Sequence, residues 1–251
     1  MGIFVVLIFF LGLIFGSFFN VCIYRIPTEK SINYPPSHCG NCNTNLKWYD
    51  LFPVFSYLFL KGKCRYCGEK VSIQYPLVEL LTGVVFATLF LSFGVTLEFF
   101  KYTFLFSILI ISAIIDYKTQ YVFFSVSLVG IIGGVVFAVL EVFTGKALTD
   151  VIFSVMIPLI ILGIIIIASQ KVEGMGAGDL EIFILVALYL TPMKSAIALF
   201  LSICLGGVVS VFILLQGRRG EHIAFVPYIA IGTFISIVFS SKMVNWYLSL
   251  F

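Results

Sequence analysis

Leu105-Phe-Ser-Ile-Leu-Ile-Ile-Ser-Ala-Ile-Ile115 is followed at once by Asp116. The run carries no charge and closes on an ionisable residue, the pattern of a helix that crosses lipid and stops at a boundary. The rest of the chain has the same character. Hydrophobic residues fill 61% of 251 positions and charged residues 11%, and the mean hydropathy is +1.15. Soluble domains run near half apolar and a quarter charged, so lipid is the solvent this composition suits. Segments of about twenty apolar residues recur, each long enough to cross a hydrocarbon core of ~30 Å as a helix.

Eight spans are predicted: 1–24, 76–95, 99–115, 121–140, 151–169, 180–189, 195–216 and 223–240. The first lacks a charge, a basic n-region and a small-residue cleavage site, so it reads as a retained helix rather than a signal peptide. The sixth is the shortest, and needs a half-buried start or a snorkelling Lys194. Of the 15 lysines and arginines, an N-terminus-outside arrangement leaves only Lys101, Lys146, Lys194 and Lys242 on the outer side. That positive-inside bias sets the expected orientation. The expected fold is an all-α polytopic membrane protein of about eight transmembrane helices. Its expected domains are a first helix (1–24), a cytoplasmic cysteine-rich insert (25–75) and a membrane domain (76–251).

The insert holds four of the six cysteines, as Cys39-Gly-Asn-Cys42 and Cys64-Arg-Tyr-Cys67. Two C-x-x-C pairs bring four thiolates to the corners of a tetrahedron, the closed geometry of structural zinc. So small a segment builds little core, and metal binding would supply much of its folding free energy. The rival is a pair of disulfides, which needs an oxidising compartment that the charge topology argues against. Cys22 and Cys204 lie in apolar helices and are expected to be buried and unreactive.

Ionisable residues at membrane depth are costly and therefore functional candidates. Asp116 and Asp179 stand out, and the predicted topology brings both to the cytoplasmic side. Asp179 closes Gly174-Met-Gly-Ala-Gly-Asp179 and leads into the next apolar helix. Taken singly, Asp116 reads equally as a solvated helix-boundary residue and Asp179 as a helix cap. Gly176 and Gly178 tilt the reading, because they admit close approach of an extended substrate strand. Two neighbouring carboxyls would share a proton: the ionised one activates water and the protonated one hydrogen-bonds the substrate carbonyl.

Glu79 is expected to pair with a basic residue such as Arg25, and Glu141 and Asp150 to be solvated in an outer loop. Glu221 and His222 read as topology-setting charge beside Arg218 and Arg219. No Ser-His-Asp order, HExxH signature or phosphate-binding loop is present, so those chemistries have no support.

The chain resembles the bacterial type IV prepilin peptidases, which are leader peptidase/N-methyltransferases and GxGD aspartic proteases. The resemblance is carried by Gly16-Ser-Phe-Phe-Asn-Val-Cys-Ile-Tyr-Arg-Ile-Pro27 and by the cysteine insert running into Tyr57-Leu-Phe-Leu-Lys-Gly-Lys-Cys64. Tyr75-Pro-Leu-Val-Glu-Leu-Leu-Thr-Gly83, Ile115-Asp116 and Gly176-Ala-Gly-Asp179 complete it. It implies removal of a short basic leader from prepilins or pseudopilins at the inner face of the bacterial cytoplasmic membrane, with Asp116 and Asp179 catalytic. It also implies N-methylation of the new terminus with S-adenosylmethionine, and no nucleic-acid partner. The chain departs from the family pattern at Gly40, at Phe123-Phe124 and at Glu181, none of which touches the aspartates. Two rival functions are a presenilin-like intramembrane protease and a non-catalytic scaffold docking through its zinc knot.

Overall fold

The computed structural model describes residues 2–169, 176–217 and 223–249. Among the described residues the fold is all-helical: α1 (Gly2–Arg25), α2 (Phe55–Phe59), α3 (Gln74–Phe93), α4 (Leu97–Thr119) and α5 (Phe124–Phe143) come first. They are followed by α6 (Leu148–Ser169), α7 (Ala177–Tyr189), α8 (Pro192–Leu215) and α9 (Val226–Leu248). Seven of these are long and apolar enough to cross a membrane, and the chain is a multi-pass membrane protein. It divides into two compact units, residues 1–103 and 104–251.

In the first unit, α1 and α3 lie against each other at glycines. A Cβ on Gly12 would stand 2.7 Å from Gly83 Cα, and one on Gly16 would stand 2.6 Å from Glu79 Cα. Lipid offers no hydrophobic drive between helices, so a small-xxx-small face that lets two backbones approach is what holds such a pair. Toward the insert the seam turns polar. The Asn20 amide donates to the Tyr75 carbonyl at 3.1 Å, and Gln74 donates back to Asn20 at 3.3 Å.

The second unit is built around α7. At 13 residues it is only about 20 Å long at ~1.5 Å per residue, short of a bilayer's hydrocarbon core. Its side chains explain how it persists: Ile182, Phe183, Leu185, Val186, Ala187 and Tyr189 are all buried. A helix that is apolar on every side is a core helix. It packs on α5, α6, α8 and α9, and the Tyr189 hydroxyl donates to the Gly130 carbonyl of α5 at 2.6 Å. At its far end, Ser154 of α6 donates to the Leu190 carbonyl, and Ser195 of α8 donates to the Ser154 carbonyl.

Three expectations are corrected. Glu79 does not meet Arg25. Its carboxylate accepts the Val54 N–H at 2.7 Å, while the Arg25 guanidinium donates to the carbonyls of Ser31, Ile32 and Pro35. The loop after α1 curls back within reach of that guanidinium, offering it a fan of carbonyls. Cys204 is exposed, whereas Cys22 is buried, because α8 turns that side of itself outward toward lipid. Glu141 is ion-paired to Lys146 at 2.7 Å rather than solvated. Lys171, Gly174, Arg218, Arg219, Glu221 and His222 lie outside the described residues.

Candidate active site and metal centre

Asp116 sits in the last turn of α4 and is buried, at 5% exposure. A solvated boundary acid would not be, so that simpler reading fails. The position is also adverse in charge, since a carboxylate near a helix C-terminus faces the negative end of the macrodipole. What compensates comes from another helix. The N–H of Val226, the first residue of α9, donates to Asp116 Oδ2 at 3.0 Å. That N–H is one of the orphan donors of a helix start.

Asp179 occupies the third position of α7, with Gly176 in extended backbone ahead of the first turn. Its carboxylate turns back to accept the Gly176 N–H at 3.1 Å. The capping reading is thus realised, and the same side chain keeps its second oxygen for other work. Each carboxyl rests at the positive start of a helix, α9 for Asp116 and α7 for Asp179. Burial and the Gly176 N–H act most on the Asp179 carboxyl, and the Asp116 charge is a lesser influence on it.

The two glycines behave differently. A Cβ on Gly178 would lie 2.9 Å from Val122, whereas Gly176 meets nothing nearer than 3.9 Å. Gly178 therefore lets the start of α7 press against the segment that leads into α5, while among the described residues Gly176 has only atoms of its own turn within 4 Å. Sequence reasoning missed one neighbour. Ser127, fully buried on α5, donates to the Glu181 carboxylate two positions beyond Asp179. Glu181 had been noted only as a departure from the family pattern, and a Ser on the same helix face as the glycines of α5 gave no signal.

The four insert thiols form a separate centre in the first unit. All six cysteines are free thiols in the structure, which joins neither insert pair as a disulfide. Each C-x-x-C pair closes the same turn. Cys39 N–H donates to the Thr44 carbonyl and Asn43 N–H to the Cys39 carbonyl; Cys64 N–H donates to Glu69 and Gly68 N–H to Cys64. Isolated antiparallel bridges, His38 with Asn45 and Lys63 with Lys70, lock the two bases. The turn needs a left-handed residue four positions after its first cysteine. Asn43 (φ 55°) and Gly68 (φ 75°) supply it, and these are residue types that tolerate that region.

The four Sγ atoms lie within 4.8 Å of one another, with Cys39 and Cys67 3.8 Å apart. A tetrahedron with metal–sulfur bonds of ~2.3 Å has an edge of about 3.8 Å, so the four cysteines are positioned to bind a metal ion. The surroundings favour the thiolate a metal needs at two of the four, Cys42 and Cys64, and oppose it at Cys67. The Thr44 hydroxyl and then its N–H bring the Cys42 thiol down to about 6, and the N–H groups of Cys67 and Tyr66 lower Cys64. Asp50 clasps the second turn from outside. Partial loss of water works against its charge, but Arg65 Nε at 2.7 Å and the Tyr66 hydroxyl at 2.9 Å hold its carboxyl below the ordinary value.

Comparison with known proteins covers both units. Residues 10–93 match the bacterial peptidase A24 N-terminal domain, and residues 103–211 match the type IV leader peptidase family. A prepilin leader peptidase/N-methyltransferase of Bacillus subtilis (strain 168) is 30% identical over 97% of this chain and 98% of its own length. One of Myxococcus xanthus is 34% identical over 88% of this chain and 66% of its own. One of Neisseria gonorrhoeae is 29% identical, covering 95% and 93%. No solved structure matches the chain.

Proposed function

Because the chain belongs to the type IV leader peptidase family, we propose that it removes the leader from prepilins or pseudopilins, using Asp116 and Asp179 as an aspartic dyad. The observation that carries this reading is the pair itself: two acids at the starts of two helices in one unit, within electrostatic reach of each other. Like charges so placed ionise one after the other, so over the working pH range the pair holds one proton. The ionised carboxyl takes a proton from water, and the resulting oxygen attacks the scissile carbonyl. The protonated carboxyl donates to the carbonyl oxygen as negative charge develops there. When the tetrahedral intermediate collapses, a dyad proton passes to the leaving amine. Gly176, with only atoms of its own turn nearby among the described residues, is where the extended chain around the cleaved bond lies, and Gly178 lets α7 reach its place.

In the insert, Cys39, Cys42, Cys64 and Cys67 would hold zinc, which supplies a closed structural tie rather than a catalytic water. The relatives' names also carry N-methylation. This chain accordingly transfers a methyl group from S-adenosylmethionine to the new N-terminus, with no described residue assigned to that cofactor. The charge topology supports placement in the bacterial cytoplasmic membrane, N-terminus outside, with insert and aspartates on the cytoplasmic side.

The test is mass spectrometry of a prepilin incubated with the purified chain, with and without S-adenosylmethionine. Leader loss, plus about 14 Da only when the donor is present, is expected. Asp116→Asn and Asp179→Asn should each lower cleavage by about a thousandfold or more, the loss typical of removing a catalytic group, with helicity unchanged. Full activity in either variant would sink the dyad.

A further inference from the structure

Glu79 and Val54 have no part in the dyad or the metal centre, yet they meet in a buried contact of the first unit. Glu79 is buried at 6% exposure and lies more than a turn inside α3. Its carboxylate accepts the N–H of Val54 at 2.7 Å. Val54 has φ 63°, a left-handed conformation that a β-branched side chain resists. A buried acid thus reaches across to hold a backbone turn that belongs, by sequence, to the polar insert.

That turn opens an apolar stretch, Leu51-Phe-Pro-Val-Phe-Ser-Tyr-Leu-Phe-Leu60, bracketed by Lys47 and Asp50 on one side and Lys61 and Lys63 on the other. Ten uncharged residues are too few to span a bilayer, and that length suits a re-entrant or interfacial segment. Much of its backbone is bonded from within: Phe55 donates to Pro53, Ser56 to Phe52, Leu58 to Val54 and Leu60 to Ser56, and Pro53 has no N–H to satisfy. The Val54 N–H goes to Glu79. Backbone at membrane depth requires this accounting.

The stretch lies beside the middle of α1. Phe55 stacks on Phe10 at 6.3 Å between ring centres. A cavity of about 500 Å³ lies between the two, walled by Phe10, Leu13, Ile14 and Ser17 on one side and by Trp48, Leu51, Phe52 and Pro53 on the other. Ser17 and Phe10 stand roughly 12 and 22 Å from Arg25 along α1 at ~1.5 Å per residue. No charged side chain lines the cavity on its α1 wall, and that wall continues into the exposed apolar face of Leu7, Leu11 and Phe18. Trp48, 79% exposed, stands at the lip, the place aromatic residues take at a membrane interface.

We propose that residues 51–59 are seated in the bilayer, with Trp48 at its interface, and that the groove they form with α1 holds one acyl chain of a membrane phospholipid. Lipid is favoured over a peptide because the groove continues a face that already belongs to lipid.

The experiment uses the full chain in nanodiscs of phosphatidylcholine brominated at known acyl carbons. Trp48 and Trp246 are the two tryptophans; Trp48→Phe with Trp246→Phe clears both, and Phe52→Trp places a probe on the groove wall. Emission should fall by roughly twofold with bromine in the chains and be unmoved by aqueous iodide, as for a ring ~5–10 Å below the headgroups. Quenching by iodide instead would put the segment in water and overturn the proposal. Ile14→Phe narrows the groove and should relieve the bromine quenching; undiminished quenching would mean that the ring faces bulk lipid and the groove holds no chain, which also overturns it. Relief on adding a prepilin would reassign the groove to substrate, a third overturning result. If Phe52→Trp does not fold, Leu51→Trp in the same tryptophan-free background places the probe on the same groove wall and is read by the same criteria.

Discussion

The four thiols and the two carboxyls are held by opposite means. Cys39 and Cys67 stand 28 residues apart, and each C-x-x-C turn is shaped by its own hydrogen bonds. Asp116 and Asp179 are 63 positions apart. Asp116 is held by an N–H from α9, 110 residues further on, and Asp179 by the start of its own helix. One centre is local in the chain and the other is assembled by helix packing. Spacing along the chain can therefore announce the first, whereas only the packing of α4, α7 and α9 can make the second.

The largest effect should come from removing a thiol. Cys64→Ser should take bound zinc from one per chain to none, measured by metal analysis of the purified protein. A structural zinc contributes on the order of 10 kcal/mol to such folds, so hydrogen exchange across residues 37–71 should lose its protection. Protection across residues 124–143 should be unchanged if the two centres are independent; a parallel loss there would break the comparison.

Next is the glycine seam of the first unit. Gly16→Val drives a side chain into the Glu79 backbone, an overpacking that costs about 1–3 kcal/mol. It should appear as a lowered melting temperature in detergent. Gly178→Ala comes after it. Contact with Val122 should tilt the start of α7 and lower cleavage about tenfold, roughly 1.4 kcal/mol of barrier. Val122→Ala in the same chain should restore most of the rate. Absence of rescue would mean that Gly178 serves the substrate strand directly.

The smallest effect is one of pH. In metal-free protein the Cys42 thiol is lowered from near 9 to about 6. A depressed value means that the folded form prefers the thiolate. Its contribution is complete above the unfolded value and fades as pH falls through about 6. Alkylation of Cys42, followed by mass spectrometry against pH, should stay fast down to that point; a rate that already falls near pH 9 would overturn this reading.

Much of this could be read without coordinates. Apolar run length located every long helix, because crossing lipid imposes a length and a composition on the chain. The sixth span reads as short from the sequence, and α7 does begin half-buried, at Gly178–Glu181. What the sequence does not show is that the rest of α7 is surrounded by protein. Glu79 was assigned to the wrong partner for a related reason. An acid in a span advertises a need for a partner but not who meets it, and here a main-chain N–H does. Ser127 and Glu181 were invisible as a pair because they sit on helices joined only in space.

Sequence alone determined the membrane class, the two thiol pairs and the two aspartates, since each is stated by local composition or spacing. Tertiary structure decided which helix is shielded from lipid, where Asp116 finds its donor, and how the stretch after the first thiol pair comes to lie against α1. The physical reason is the same in each case. Burial, charge compensation and backbone satisfaction at membrane depth are properties of neighbours, and a chain names its neighbours only when it folds.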